Sequence, residues 1–275
     1  KTRKLELLLA EAQAQGARTL ITTGAVQSNH CRQTAAAAAK AGMECVLVLA
    51  GSPPEQVSGN LLLDMLVGAE LVYTRGRDRD TCLEETVRRL EADGRKPYRI
   101  PYGGSSPLGA AAYALAMAEL LQQHADFDRI VFATSSGGTQ AGLIAGARIH
   151  GYSGRITGIS VDQPTPVLQA KVATLAGETA RLLGHQASVR PEEVEVVDDF
   201  LGGGYGVMGD LERQAISTLA RQEGILLDPV YTGRAAGGMI ELIRRGAIQP
   251  DERLLFWHTG GTPALFAYAS ELIQP

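Results

Sequence analysis

The chain has 275 residues, 45% of them hydrophobic and 20% charged, with a formal charge of −4. That is enough length for two α/β lobes and enough apolar material for their cores, and it excludes a disordered chain. No basic cluster marks a nucleic-acid partner, and no apolar run approaches the ~20 residues of a membrane span.

In chain order, helical spacing over 5–15 stops at Gly16, 18–22 reads as a short buried strand, and 28–41 is an alanine-rich helix ended by Gly42. A strand at 44–50, helix at 60–67, strand at 71–74, helix at 80–92 and strand at 98–101 follow. Strands separated by helix-length segments predict right-handed crossovers and a parallel sheet covered on both faces. The turn-rich Tyr102-Gly103-Gly104-Ser105-Ser106-Pro107 places a boundary here, giving domains 1–108 and 109–275. Beyond it come a helix at 110–123, strand 129–133, helix 141–149, strand 156–161 and helix 166–183. A short strand near Glu195, helices 211–222 and 234–245, strand 254–257 and a closing helix from Pro263 complete the order. The fold class expected is α/β, two open parallel-sheet domains. The acidic stretch Glu192, Glu193, Glu195, Asp198 and Asp199 reads as a solvated edge.

Three cysteines, Cys31, Cys45 and Cys82, are too few and too scattered for a disulfide framework or a CxxC metal site, so no metal and a reducing cytoplasm are expected. The opening KTRKLELLLAEAQAQG has no signal-peptide pattern and reads as the interior of a longer chain, so residues ahead of Lys1 are expected.

Three places share one form, a buried strand, a loop of small residues and a helix: 22–30, 133–140 and 257–263. In parallel sheets such loops gather at the carboxyl ends of the strands, so all three are expected at one site. The loop Ser135-Ser136-Gly137-Gly138-Thr139 is the best anion cradle, because glycines allow close backbone approach and the following helix offers free N–H groups. It is neither a Walker A loop nor GxGxxG, and a simple tight turn is the plainer alternative there and at Thr259-Gly260-Gly261. Gln27-Ser28-Asn29-His30 puts four hydrogen-bonding side chains at one helix start, more than a cap requires. Plainer alternatives stand beside each: Ser28 or Asn29 as a cap, His30 as a structural histidine, Tyr231 as a packed ring, Lys1 and Lys4 as solvent-facing lysines.

Taken together, KTRKLE, QSNH, PYGGSSPLGA, SSGGTQAG, DPVYTG and HTGG, in that order and spacing from Lys1 to the last helix, resemble the D-cysteine desulfhydrase and 1-aminocyclopropane-1-carboxylate (ACC) deaminase family of pyridoxal 5′-phosphate (PLP) enzymes. The resemblance implies fold type II, similar to tryptophan synthase β, with the PLP site in the cleft between the two domains. It implies that Lys1 is the Schiff-base lysine, that Asn29 bonds the cofactor's 3′-oxygen, and that 136–139 (Ser136, Gly137, Gly138, Thr139) holds the phosphate. Gln27, Ser28 and His30 line the substrate, with Gln27 and Ser28 on its carboxylate. Tyr231 stands beside the substrate with Ser28 as the other candidate for proton transfer, and Thr232 and Thr259 stand at the cofactor. Family members that act on ACC place Glu and Leu where this chain has Thr232 and Thr259, which points to the desulfhydrase branch. Arg234 stands where many relatives carry Lys, with no meaning assigned. The expected reaction is α,β-elimination on a small amino acid, best D-cysteine, by a homodimer. ACC ring opening and cysteate cleavage are the alternatives within the family. A phosphate- or nucleotide-binding module without covalent catalysis is the alternative of another class.

Overall fold

A computed structural model describes residues 1–123, 126–186 and 188–273. The chain divides into two compact units, Lys1–Gly109 and Ala110–Pro275.

The first unit runs α1 (Thr2–Ala14), β1 (Thr19–Ala25), α2 (Asn29–Lys40), β2 (Glu44–Ala50), α3 (Gly59–Leu66), β3 (Glu70–Tyr73), α4 (Arg79–Ala92) and β4 (Pro97–Arg99). Its parallel sheet has the order β3-β2-β1-β4. Successive residues of a strand point to opposite faces, and the cores follow that period. Leu20, Leu47 and Leu49 join Leu5, Leu8, Cys31 and Leu61 under α1, α2 and α3. Ile21, Val46 and Val48 pack on Cys82, Leu83 and Leu90 of α4. Burial on both faces is why β2 reads as a continuous apolar run, each fully buried leucine contributing about 1.5–3 kcal/mol.

The second unit runs α5 (Pro107–Gln123, begun in the first unit), β5 (Arg129–Thr134), α6 (Gly138–His150), β6 (Arg155–Ser160), α7 (Thr165–Leu182) and β7 (Val196–Val197). Then come α8 (Asp210–Glu223), α9 (Thr232–Arg244), β8 (Leu254–Phe256) and α10 (Ala269–Leu272). The sheet order β7-β6-β5-β8 repeats the first unit's plan. Ile130 and Phe132 face α5, α6 and α7, while Val131 and Ile159 face Ala235 of α9. The alanines of α5 matter for spacing. A Cβ on Gly142 of α6 would lie 2.1 Å from the Ala110 carbonyl oxygen and one on Gly146 2.8 Å from the Ala114 carbonyl oxygen, so the two helices touch backbone to backbone.

Two expectations change. The closing helix from Pro263 is a 3₁₀ segment, Thr262–Tyr268, leading into one turn of α10. The acidic stretch is not simply a solvated edge. Glu195 takes Arg129 at 2.6 Å and Arg155 at 2.8 Å, and Asp198 accepts the Thr165 N–H at 2.7 Å. Arg129 is itself buried and also pairs with Glu252 at 2.8 Å, at the amino ends of the strands, away from the loops considered below. Among the described residues no helix is long and apolar enough to cross a membrane.

Candidate active site

Both sheets reverse their strand order beside the first strand: β1 is flanked by β2 and β4, and β5 by β6 and β8. In open α/β sheets, ligands bind beyond the carboxyl ends of the strands at such a switch point. In the first unit that end holds the β1–α2 joint and the segment after β4; in the second it holds the β5–α6 joint and the segment after β8.

At the β1–α2 joint, Ser28 is the N-cap, its Oγ accepting the Cys31 N–H at 3.2 Å. The joint is tight, since a Cβ on Gly24 would meet Ser28 Oγ at 2.6 Å. Asn29 Oδ1 accepts from Asn60 Nδ2 at 2.8 Å, which fixes the amide with its NH₂ as the end left to donate. Asn60 also donates to the Gln27 carbonyl at 3.0 Å and accepts from Arg32 Nε at 3.2 Å. Gln27, expected to hold a substrate carboxylate, has its amide engaged at both ends, Nε2 on Ser58 O at 3.1 Å and Oε1 on Asn60 N at 2.9 Å. It latches the joint to the start of α3, and the expected contact with a substrate carboxylate would use the second N–H of the amide.

His30 is buried beside Thr22, Nε2 to Oγ1 at 2.9 Å. The single hydroxyl hydrogen of Thr22 goes to the Ile100 carbonyl at 2.9 Å, so Nε2 must carry the proton that bonds Thr22. Burial, reinforced by the charges of Lys1 and Lys4, holds the ring's pKa well below the ordinary histidine range. The ring is therefore neutral, with a bare lone pair on Nδ1, a buried atom with no hydrogen-bond partner.

Lys1 and Lys4 converge on one acceptor after β4: both Nζ atoms donate to the Gly103 carbonyl, at 3.1 and 3.2 Å, and Lys4 also reaches Ser105 Oγ at 3.3 Å. Neither is a solvent-facing lysine; Lys4 is buried and Lys1 half-buried. Burial lowers the Lys1 side-chain pKa to about 8.

At the β5–α6 joint, Gly137 takes φ +84, a left-handed conformation that glycine adopts without strain, and caps α6 with no side chain. The helix's first bond is Ala141 N–H to Gly137 O at 2.9 Å, so the N–H groups of Thr139 and Gln140 precede it. Ser135 Oγ donates to Asp162 Oδ2 at 2.7 Å. Two atoms here, Thr134 Oγ1 and Asp162 Oδ1, are buried without a hydrogen-bond partner. Burial raises the Asp162 pKa, against the pull of Ser135, Lys171 and Arg234.

After β8, His258 Nδ1 accepts the Gly260 N–H at 3.0 Å and Nε2 faces the Leu226 carbonyl at 3.2 Å, so Nε2 is the protonated nitrogen. Thr259 is half-buried between them in sequence. A Cβ on Gly261 would strike Asp228 at 2.6 Å, which brings this turn against 228–232. Asp228 ties that second turn together, Oδ2 accepting from Val230 N and Tyr231 N, Oδ1 from Thr232 N and Thr232 Oγ1, all within 3.1 Å. Thr232 is thereby removed from the expected cofactor contacts. Its hydroxyl hydrogen is committed to Asp228 Oδ1, its oxygen accepts the Asp228 N–H at 2.7 Å, and it is buried. Tyr231 meets a partner that sequence reasoning missed: its hydroxyl lies 2.9 Å from that of Tyr205, the rings set edge to face. The signal was there in Gly202-Gly203-Gly204-Tyr205-Gly206, a tyrosine inside a glycine cluster. Asn60 and Thr22 were missed as well and carry no comparable mark.

The β5–α6 joint, with no side chain capping its helix, is a form suited to an anion, and Lys1 of the first unit is a half-buried amine of lowered pKa. The family model for pyridoxal-phosphate dependent enzymes matches residues 1–260, and the chain belongs to that family. Its cofactor is pyridoxal 5′-phosphate and its fold is fold type II. Among relatives, a Pyrococcus horikoshii protein named "Putative 1-aminocyclopropane-1-carboxylate deaminase" is 42% identical over 278 residues, spanning 100% of this chain and 83% of that protein. A crystal structure described as an ACC deaminase homologue aligns with a TM-score of 0.90 at 42% identity, covering 98% of this chain and 82% of the other. O-ureido-L-serine synthase aligns with a TM-score of 0.67 at 17% identity, over 99% of this chain and 84% of its own, which speaks to fold alone.

Proposed function

We propose that this enzyme carries out α,β-elimination on D-cysteine, converting D-cysteine and water to pyruvate, hydrogen sulfide and ammonia. The observation that carries the reading is the half-buried Lys1 amine held on the Gly103 carbonyl at 3.1 Å, its pKa lowered to about 8 by desolvation, so that a fraction is uncharged near neutral pH and able to act as nucleophile and base.

The residues fit the cofactor. The uncapped start of α6, Ser136 to Thr139, and the orphaned Thr134 Oγ1 suit a phosphate ester, in the 109–275 domain. Asn29, with its amide turned by Asn60, offers the N–H that a phenolic 3′-oxygen requires, in the 1–108 domain. When bound, PLP supplies an electron sink for the pair released at the substrate α-carbon.

Lys1 anchors the cofactor and serves as the base that takes the α-proton. Ser28 and the first-turn N–H groups of α2 orient the substrate carboxylate, and His30 Nδ1 presents an acceptor beside them. Tyr231, with Tyr205 on its hydroxyl, steers or protonates the departing sulfur. At the pyridine nitrogen of a bound cofactor, Thr259 would offer a hydroxyl and not a carboxylate. A weaker sink is enough to expel hydrosulfide, a far better leaving group than a carbanion, whereas opening a carbon ring demands more. The three cysteines are free and buried, which agrees with a cytoplasmic setting; a homodimer completes the reading.

ACC ring opening is the second reading, favoured by the names of the relatives at 42% identity. Purified holoenzyme should be given D-cysteine, L-cysteine, cysteate and ACC side by side. Pyruvate with sulfide from D-cysteine is the expected outcome, and 2-oxobutyrate from ACC as the faster product transfers the assignment to the second reading. Lys1→Ala should lose about 10²–10⁴-fold in rate, and borohydride should no longer fix the cofactor to the opening peptide. Covalent fixation to that variant at full yield defeats the assignment of Lys1.

A further inference from the structure

The glycine-rich loop that displays Tyr205 is gripped along its backbone from below. Gly204 (φ +98) and Gly206 (φ +75) put the chain on both sides of Tyr205 into the left-handed region, so the loop has little stiffness of its own. Arg234 compensates: Nη1 donates to Gly204 O at 3.1 Å and Nη2 to Val207 O at 2.9 Å, bracketing the tyrosine. Its Nη1 also reaches Val161 O at the end of β6, at 2.8 Å, and its Nε pairs with Glu212 at 2.5 Å. Glu212 in turn accepts the Gly209 N–H at 2.8 Å, and Tyr268 donates to Gly206 O at 2.7 Å. Arg234 and Glu212 are 1% and 3% exposed.

A buried ion pair is poor evidence for stability, since well-packed apolar residues often do as well. What a guanidinium adds is a rigid fork of donors that can hold several carbonyls in one fixed arrangement, which a lysine ammonium on a flexible stem cannot reproduce.

We propose that Arg234, set by Glu212, is a positioning residue for Tyr205: it fixes the loop at Gly204 and Val207 so that the Tyr205 hydroxyl orients that of Tyr231. This rests on the reading of Tyr231 as a substrate-facing group.

The test is a double-mutant cycle on holoenzyme with Tyr205→Phe and Arg234→Lys, assayed with whichever substrate of the panel is turned over fastest, joined to hydrogen exchange of the apo-protein. Each single variant should lower kcat/KM about tenfold, the worth of one oriented hydrogen bond, and move the alkaline limb of the pH profile in the same direction. The double variant should be no worse than either. In the apo-protein Arg234→Lys should speed exchange across 202–208 while the β5–β6 core stays protected. If Arg234→Lys does not fold, Tyr268→Phe, which removes only the bond to Gly206 O, should give the same pattern at smaller amplitude. Multiplicative losses in the double variant, or unchanged exchange at 202–208, overturn the proposal. Tyr231→Phe with undiminished kcat/KM, alongside a loosened loop in Arg234→Lys, instead overturns the reading of Tyr231 and leaves the anchoring intact.

Discussion

In the first unit the helix after the central strand begins with Ser28, whose Oγ takes the Cys31 N–H; in the second the matching helix begins with Gly137, which has no side chain to offer. The strand orders are the same, so the difference lies in the joint and not in the topology. A side-chain cap occupies one helix donor and surrounds the joint with groups of chosen chemistry, here Ser28, Asn29 and His30. An open glycine joint presents backbone N–H groups and the positive end of the helix dipole. Under the proposed function, the first arrangement would discriminate among small amino acids and the second would hold an unvarying phosphate. The units also differ in how they hold buried charge. Arg129 and Arg234 of the second unit are paired with carboxylates, whereas Asp64 of the first is buried with neither oxygen hydrogen-bonded.

That last contrast gives the largest expected effect. Burial raises the Asp64 pKa from 3.8 to about 7, with Arg32 pulling the other way. The folded state therefore holds the proton more tightly than the unfolded state does. The stability Asp64 contributes is fully present below pH 4 and is lost as pH rises through 7. A shift of that size corresponds to at most about 4 kcal/mol. Asp64→Asn keeps the shape and removes the titration, so its stability relative to the parent should rise by up to that amount between pH 4 and pH 8.5. Urea unfolding of the apo-proteins at the two pH values measures it, and a stability difference that ignores pH rules out the buried unpaired carboxylate.

The next effect separates the two joints directly. Alanine at Gly24 would push a Cβ to 2.6 Å from Ser28 Oγ and 2.7 Å from Cys31 Sγ, an overpacking expected to cost about 1–3 kcal/mol of folding stability. Alanine at Gly137 meets Val172 Cγ2 at 3.1 Å and must hold φ +84, a conformation costing about 1–2 kcal/mol. Because Gly137 opens the cradle, its variant should also weaken PLP binding more than the Gly24 variant does. Cofactor titration followed by absorbance, with urea unfolding of the apo-proteins, reads both quantities. The reverse ranking of cofactor affinity refutes the division of labour between the joints.

How much of this was legible depends on the range of the interaction. The strand Glu44–Ala50 could be read to the residue, because a doubly buried parallel strand is a continuous apolar run and Gly42 and Gly51 bound it. The segment Thr262–Tyr268 was not, because seven residues hold too few repeats to separate three per turn from 3.6. The hydroxyl and glycine clusters at the joints announced themselves, but what holds them did not. Asn60 is 31 residues from Asn29, and Glu195 is 66 from Arg129. A hydrogen bond across such a gap leaves no period and no local composition to find. The correction at Thr232 has the same origin. Its hydroxyl has the right chemistry for a ligand, and only the fold reveals that Asp228 has already claimed it.

The smallest effect bears on Ser28, which is both cap and candidate ligand. A residue selected mainly to cap should make a short, well-formed bond, as Asp78 does at the start of α4, accepting from Thr81 N and Thr81 Oγ1 at 2.8 Å. The Ser28 bond is longer, at 3.2 Å, and its oxygen retains capacity for a second partner. Ser28→Ala should therefore cost the apo-protein only about 0.5–1 kcal/mol, at the low end for a lost cap, and less than Asp78→Ala under the same conditions. In the holoenzyme it should raise KM well beyond anything that loss of stability accounts for. If Ser28→Ala is the more destabilising of the two and KM is unmoved, the serine is a cap like any other, and the first joint recognises its ligand through Asn29, His30 and the helix start alone.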